Sequence, residues 1–181
     1  MKPARPARTL IGMLLVASIL MTAPVASASG SGFRAAVNRP APNAWFLVPA
    51  GRESIAQFKG HNVMLWLLST WCSSCQEGLR VLAREQAVLQ HVGLTVIVVE
   101  NYHNGGYGGE SIASFAKRYG ASVQHAPNWV FGSAPHTFGS RYNPQKLPDI
   151  YYLIDKRGIV RVIDAAPSAT LQKILTFART H

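Results

Sequence analysis

Cys72 and Cys75 are the only cysteines in this 181-residue chain, and they stand three positions apart in Trp71-Cys72-Ser73-Ser74-Cys75. The apolar run Val63-Met64-Leu65-Trp66-Leu67-Leu68 precedes them, and a helical pattern begins at the second half of the motif. A cysteine at a strand-to-helix junction faces the unpaired N–H groups of the first helical turn and the positive end of the helix dipole. Both favour thiolate over thiol. A second cysteine one turn along lies within disulfide reach of the first, so the pair suits reversible dithiol/disulfide chemistry. The rival use is a structural staple, but a bridge closing so short a loop removes little chain entropy. A structural zinc site needs four ligands, and no second Cys/His pair occurs at suitable spacing, so no metal is assigned.

The elements around the motif follow from periodicity. Val63–Ser69 reads as a central strand buried on both faces, and residues 73–91 as a helix carrying Leu79, Leu82 and Leu89 and ending at Gly93. Leu94–Val99 is a second buried strand, and strand, helix and strand with short connections make a βαβ unit with parallel strands. Trp45–Val48 is a short strand and Glu53–Phe58 a helical turn. The glycine-rich stretch Asn101–Gly109 lacks phosphate-loop spacing and reads as a mobile surface loop near the site, followed by a helix over Ser111–Tyr119. Ala134–Tyr142 is a weaker helix, Ile150–Ile154 and Ile159–Ile163 a hairpin, and Ser168–Arg179 a final amphipathic helix. The expected class is α/β, a central mixed sheet flanked by helices.

The composition suits one globular domain: 48% hydrophobic and 14% charged residues. Of the eighteen cations behind a net charge of +10, three (Lys2, Arg5, Arg8) precede an apolar run from Leu10 to Ala23 and the small residues Ala26-Ser27-Ala28. Residues 1–28 therefore read as a secretory signal peptide cleaved after Ala28, with an uncleaved N-terminal anchor as the alternative. The run is 14 residues, against the roughly 20 that a bilayer-spanning helix needs. Residues 29–44 form a flexible leading segment and 45–181 the domain. Either fate of the signal places the domain outside the cytoplasm, most simply in a periplasm. The remaining cations are scattered and form no Lys/Arg cluster, so no nucleic-acid partner is expected.

The layout resembles the thioredoxin fold, and more closely the exported thiol:disulfide oxidoreductases of the TlpA/ResA type. The resemblance covers about residues 45–180. It rests on the strand with Trp71-Cys72-Ser73-Ser74-Cys75, on Leu147-Pro148, and on the stretch Tyr152-Leu153-Ile154-Asp155-Lys156-Arg157-Gly158-Ile159-Val160. It implies that Cys72 is the exposed nucleophile, that Cys75 is the buried resolving thiol, and that the two form a Cys72–Cys75 disulfide. Pro148 would be the family's cis-proline, presenting backbone to substrate beside Leu147, with Trp71 a partly exposed lid. No cofactor beyond the redox-active disulfide is implied. The expected partners are protein disulfides and a membrane thiol carrier that supplies electrons, with cytochrome c maturation among the family's tasks.

The chain also departs from that pattern. One residue too many separates Pro148 from Leu153-Ile154-Asp155, so either the strand starts with a bulge or Asp149 takes the usual proline position. The buried acid six positions before the first thioredoxin cysteine is Trp66 here, and the branch's glutamate three positions after the second cysteine is Gly78. Glu100, at the carboxyl end of the neighbouring strand, is the substitute proton acceptor the sequence offers for Cys75. His136 is expected at the surface. Serines at 73 and 74 put no histidine beside the thiolate, which predicts a couple more reducing than DsbA-like oxidants at about −120 mV. A copper-binding metallochaperone on the same fold is the alternative, using two thiolates and a histidine for Cu(I). A peroxiredoxin-type peroxidase fits less well, because Leu65 stands where that family has a proline.

Overall fold

The computed structural model describes Met1 and residues 34–181. The signal-peptide assignment and residues 29–33 lie outside the described residues. Seven strands form one sheet in the order β2-β1-β5-β4-β3-β6-β7. They are β1 (Trp45–Val48), β2 (Gly51–Ser54), β3 (Asn62–Leu68), β4 (Leu94–Glu100), β5 (Trp129–Ser133), β6 (Asp149–Ile154) and β7 (Val160–Asp164). The helices are α1 (Ser73–Arg84), α2 (Gln86–His91), α3 (Ile112–Tyr119), α4 (His136–Tyr142) and α5 (Leu171–Thr180). No helix of the described residues is long and apolar enough to cross a membrane.

The continuous apolar run of β3 is buried at all seven positions because it is the centre of the sheet, parallel to β4 and antiparallel to β6. Its alternating side chains divide between two cores. Met64, Trp66 and Leu68 join Leu79 and Leu82 of α1, Phe115 of α3 and Ile174 of α5 on one face. Val63, Leu65 and Leu67 join Phe46, Phe138 and Tyr142 on the other. The mixed sheet between helical layers agrees with the expected class.

Three elements differ from the sequence reading. The strand β5 was not expected: it is short, and Gly132 interrupts its pattern. That glycine lets β1 approach, since a Cβ there would lie 2.3 Å from the Leu47 carbonyl oxygen. The expected helical turn from Glu53 is instead the end of β2 followed by a 3₁₀ turn over Ile55–Phe58. The single helix expected over 73–91 breaks at Glu85 into α1 and α2.

Residues 34–44 are tied to the domain. Asn38 N–H donates to the Val160 carbonyl (2.7 Å) and Ala41 N–H to that of Gly158 (2.8 Å). The Tyr142 hydroxyl donates to the Pro42 carbonyl at 2.6 Å.

Candidate active site

The site forms where β3 ends and α1 begins. Ser69 N–H donates to the Pro148 carbonyl (2.8 Å), and Cys72 N–H returns to the Ser69 carbonyl (3.0 Å). This sharp turn leaves Cys72 in extended conformation as the N-cap of α1. Cys75 follows inside the first turn of the helix, its thiol donating to the Pro148 carbonyl at 3.3 Å. Both cysteines are free thiols, so the expected Cys72–Cys75 bond is not formed in this structure, although the sulfurs lie within 4.8 Å of each other. Cys75 is fully buried, as the resemblance implied. Cys72 is not the exposed nucleophile it implied: only 7% of its surface is open. Its sulfur lies 3.1 Å from the Ser74 hydroxyl.

A third reactive group stands beside the two sulfurs. The carboxylate of Asp149, the first residue of β6, is buried and lies within 4.8 Å of both. Its Oδ1 accepts the indole N–H of Trp66 (2.8 Å) and its Oδ2 accepts the Ser74 hydroxyl (2.9 Å). Trp66 stands at one of the two positions where the resemblance led to an acid, and it fills the space at the other: a Cβ on Gly78 would lie 2.9 Å from its ring. Its indole instead orients a carboxylate that enters from β6. Burial chiefly pushes the Cys75 thiol upward, with the Asp149 charge second and Cys72 adding to both. The signal for Asp149 in the sequence was the extra residue after Pro148. Nothing in the sequence showed that its side chain would turn inward to Trp66.

Glu100 sits level with Leu68 at the same end of the sheet, as its strand position required. Its environment is different: burial raises its carboxyl, and a hydrogen bond from the Ile112 backbone at the start of α3 opposes that shift. Asp149, not Glu100, is the carboxylate that acts electrostatically on Cys75.

The Leu147–Pro148 peptide is trans, since no cis peptide bond occurs among the described residues. The cis expectation is therefore corrected. The expected presentation of backbone at Leu147-Pro148 is also corrected, because those polar atoms are already engaged. Leu147 N–H donates to Asn143 Oδ1 (2.8 Å), and its carbonyl accepts from Asn143 Nδ2 (2.7 Å) and Asn101 Nδ2 (3.1 Å). The Pro148 carbonyl serves Ser69 and Cys75. What this segment leaves exposed is the Leu147 side chain, at 42%.

The opposite flank is the glycine-rich loop, which is clamped rather than loose. Asn104 adopts a left-handed conformation (φ 53°) and is buried. Its side chain accepts Thr70 N–H (2.8 Å) and donates to Thr70 Oγ1 (2.9 Å). Trp71, 41% exposed, donates its indole N–H to the Asn104 carbonyl (2.8 Å) and meets Tyr107 edge-on at 5.1 Å. Tyr102 stacks on His103 and contacts His136 edge-on, so the loop and the start of α4 meet. They line a cleft of about 380 Å³ with Arg34, His103, His136 and Lys146 among its walls. His136 is exposed, as expected.

The donor set does not favour the copper alternative. Among the described residues the one cluster able to surround an ion is Cys72, Cys75 and Asp149, whose third member is a carboxylate rather than a histidine. Carboxylate oxygen suits harder ions than Cu(I).

No family model and no curated protein matches the sequence. Solved structures match across most of the chain. A candidate thiol:disulfide interchange protein DsbE from Chlorobium tepidum is 19% identical with a TM-score of 0.62, covering 80% of this chain and 99% of that one. A thioredoxin-family thiol:disulfide interchange protein from Chlorobium tepidum TLS is 20% identical with a TM-score of 0.59, over 80% and 98% of the two chains. The thioredoxin domain of a thiol-disulfide oxidoreductase from Bacteroides vulgatus is 15% identical, also at 0.59, over 79% and 98%. The fold of this chain is thioredoxin-like, and its two cysteines lie together at the start of α1.

Proposed function

We propose that the protein is an extracytoplasmic thiol:disulfide oxidoreductase that reduces partner-protein disulfides through Cys72 and Cys75, with no cofactor other than the two sulfurs. One observation carries the reading: on a thioredoxin-like fold, Cys72 caps α1 and Cys75 lies behind it with its sulfur within 4.8 Å. The Cys72 thiolate attacks one sulfur of the partner disulfide, forming a mixed disulfide and releasing the first partner thiolate. The Cys75 thiolate then attacks the Cys72 sulfur, closing the Cys72–Cys75 bond and releasing the second. Two electrons pass from the cysteine pair to the partner, and the released thiolates take up the two protons the cysteines lost.

The N-terminal pattern supports export and a TlpA/ResA-type role, in which a membrane thiol carrier returns electrons to the pair. Haem-attachment cysteines of c-type cytochromes are one substrate class for such a reductase. Trp71, Leu147 and the clamped loop beside Tyr107 form the surface that meets the partner, and the cationic cleft suits a partner with acidic residues near its disulfide.

Insulin reduction in the presence of dithiothreitol tests the activity, and Cys75→Ser tests the route by accumulating a partner linked to Cys72. Turnover at the uncatalysed rate, with no trapped adduct, contradicts the reading. Copper titration of the reduced protein supplies the contrast: tight stoichiometric Cu(I) binding without insulin reduction would favour the metallochaperone. Sequencing the N-terminus of the protein recovered from a periplasmic fraction tests export and cleavage after Ala28.

A further inference from the structure

We propose that Ser74 and Asp149 form a proton relay for Cys72, in which the Ser74 hydroxyl carries the Cys72 proton to the Asp149 carboxylate. The inference rests on the oxidoreductase reading and adds to it two residues that the motif does not assign.

The hydrogen-bond chain fixes its own direction. The Trp66 indole can only donate, so Asp149 Oδ1 is an acceptor. With the carboxylate ionised, Oδ2 takes the single hydroxyl hydrogen of Ser74 at 2.9 Å. Ser74 then has only lone pairs left for its other neighbour, the Cys72 sulfur at 3.1 Å, and so it accepts the S–H of the thiol. Reversing both bonds moves one proton without moving a heavy atom. The Cys72 proton passes to Ser74, the Ser74 proton passes to Asp149, and the hydroxyl now donates to the Cys72 thiolate. The net charge of the group is unchanged, so the thiolate forms without adding a second negative charge to a buried site.

The same transfer orders the two chemical steps. The Asp149 charge helps keep Cys75 protonated before substrate arrives. When Cys72 attacks, Asp149 holds the proton and is neutral, which removes that opposition as Cys75 must ionise to resolve the mixed disulfide. Ser74 lies on the exposed side of α1, so the proton can return to solvent or to the released partner thiolate by the same path. The other titratable groups facing the carboxylate are Cys75 and Tyr151. The Tyr151 phenol is pushed up to about 12, mainly by burial, and stays neutral throughout the range of the test.

The test is the pH dependence of Cys72 alkylation by iodoacetamide in the full-length reduced protein, read by peptide mass spectrometry from pH 5 to 10. The two cysteines share one peptide, and its fragment ions separate alkylation at Cys72 from that at the fully buried Cys75 without a substitution at either. Below its pKa a solitary thiol loses reactivity about tenfold per pH unit. The relay predicts that this fall halts at a plateau, where the Cys72 thiolate coexists with protonated Asp149, and resumes once a second proton is bound. Each rate is expressed relative to that protein's own high-pH limit, so a simple pKa shift cannot imitate the plateau. Asp149→Asn keeps an oxygen for Trp66 and abolishes the plateau, because a single titrating group remains, and with the opposing charge gone its relative rate at pH 6 rises. Ser74→Ala keeps that charge and cuts the path, so it abolishes the plateau and lowers the relative rate at pH 6 about tenfold or more, whereas Ser74→Thr preserves the plateau. A wild-type profile that falls without a plateau overturns the relay, as does a plateau that survives in either Asp149→Asn or Ser74→Ala. A protein that shows the plateau and its loss in both variants, yet never reduces insulin, contradicts the oxidoreductase reading and leaves the relay standing.

Discussion

Cys72 stands between two flanks of opposite construction. On one side Trp66, Asp149 and Ser74 form a short chain of polar contacts anchored in the core, with a tryptophan that is fully buried and a carboxylate nearly so. On the other, Trp71 joins Tyr102 and Tyr107 of the glycine-rich loop in an exposed aromatic surface held by one buried asparagine. The first flank sets the charge beside sulfur, and the second is the surface that the proposed function assigns to a partner. Their supports are separate, so chemistry and recognition should yield to different substitutions.

The largest expected effect spares neither flank. Cys72→Ser removes the nucleophile and should lower insulin reduction by about 1,000-fold or more, to the uncatalysed rate. Next comes a substitution confined to the loop. A Cβ at Gly109 would lie 1.9 Å from Asn104 Nδ2 and 2.4 Å from Thr70 Oγ1, so Gly109→Ala must force the clamp apart. Loss of those buried hydrogen bonds should destabilise the protein by about 1–3 kcal/mol in denaturant titration. Reduction of a protein disulfide should fall while the relative pH profile of Cys72 alkylation stays unchanged. A changed profile would mean that the two flanks are coupled.

On the core side, Asp149→Asn removes a negative charge beside both sulfurs and so favours their thiolate forms. The couple should become less reducing, by about 30 mV (about 1.4 kcal/mol) at pH 9 in equilibration with dithiothreitol. A fall in potential would contradict the electrostatic role of Asp149.

The smallest effect concerns stability against pH. Burial holds the Cys75 thiol protonated in the folded reduced state, whereas in the unfolded chain it ionises near the ordinary thiol value of about 8.5. Above that value the unfolded state carries fewer protons than the folded one, so stability falls as pH rises. Between about pH 8.5 and 10 the melting temperature of the reduced protein should decline, and the decline should be shallower in Cys75→Ala.

The parts of the molecule that periodicity governs were legible in the sequence. The apolar run of β3, the β-branched β4 and the spacing of α5 each record burial on a sheet or helix face, and these elements carry Cys72 and Cys75 to their places. The strand β5 was hidden because Gly132 is there for the approach of β1, a tertiary demand that leaves no periodic trace. Asp149 was visible only as one residue too many after Pro148. Its role depends on Trp66 from β3 and Ser74 from α1 converging on it, and no local pattern encodes a contact among three elements. Glu100 was the more conspicuous acid because strand register alone places it at the right end of the sheet. Register sets height along a strand and says little about which neighbour the side chain meets: Glu100 engages the start of α3.

The most direct test of the central claim is to equilibrate the protein across dithiothreitol redox buffers and count the bonded sulfurs by mass spectrometry. The account predicts one two-electron transition to a Cys72–Cys75 disulfide, with a midpoint well below about −120 mV. Failure of the two sulfurs to join, or a midpoint at or above that value, would contradict it.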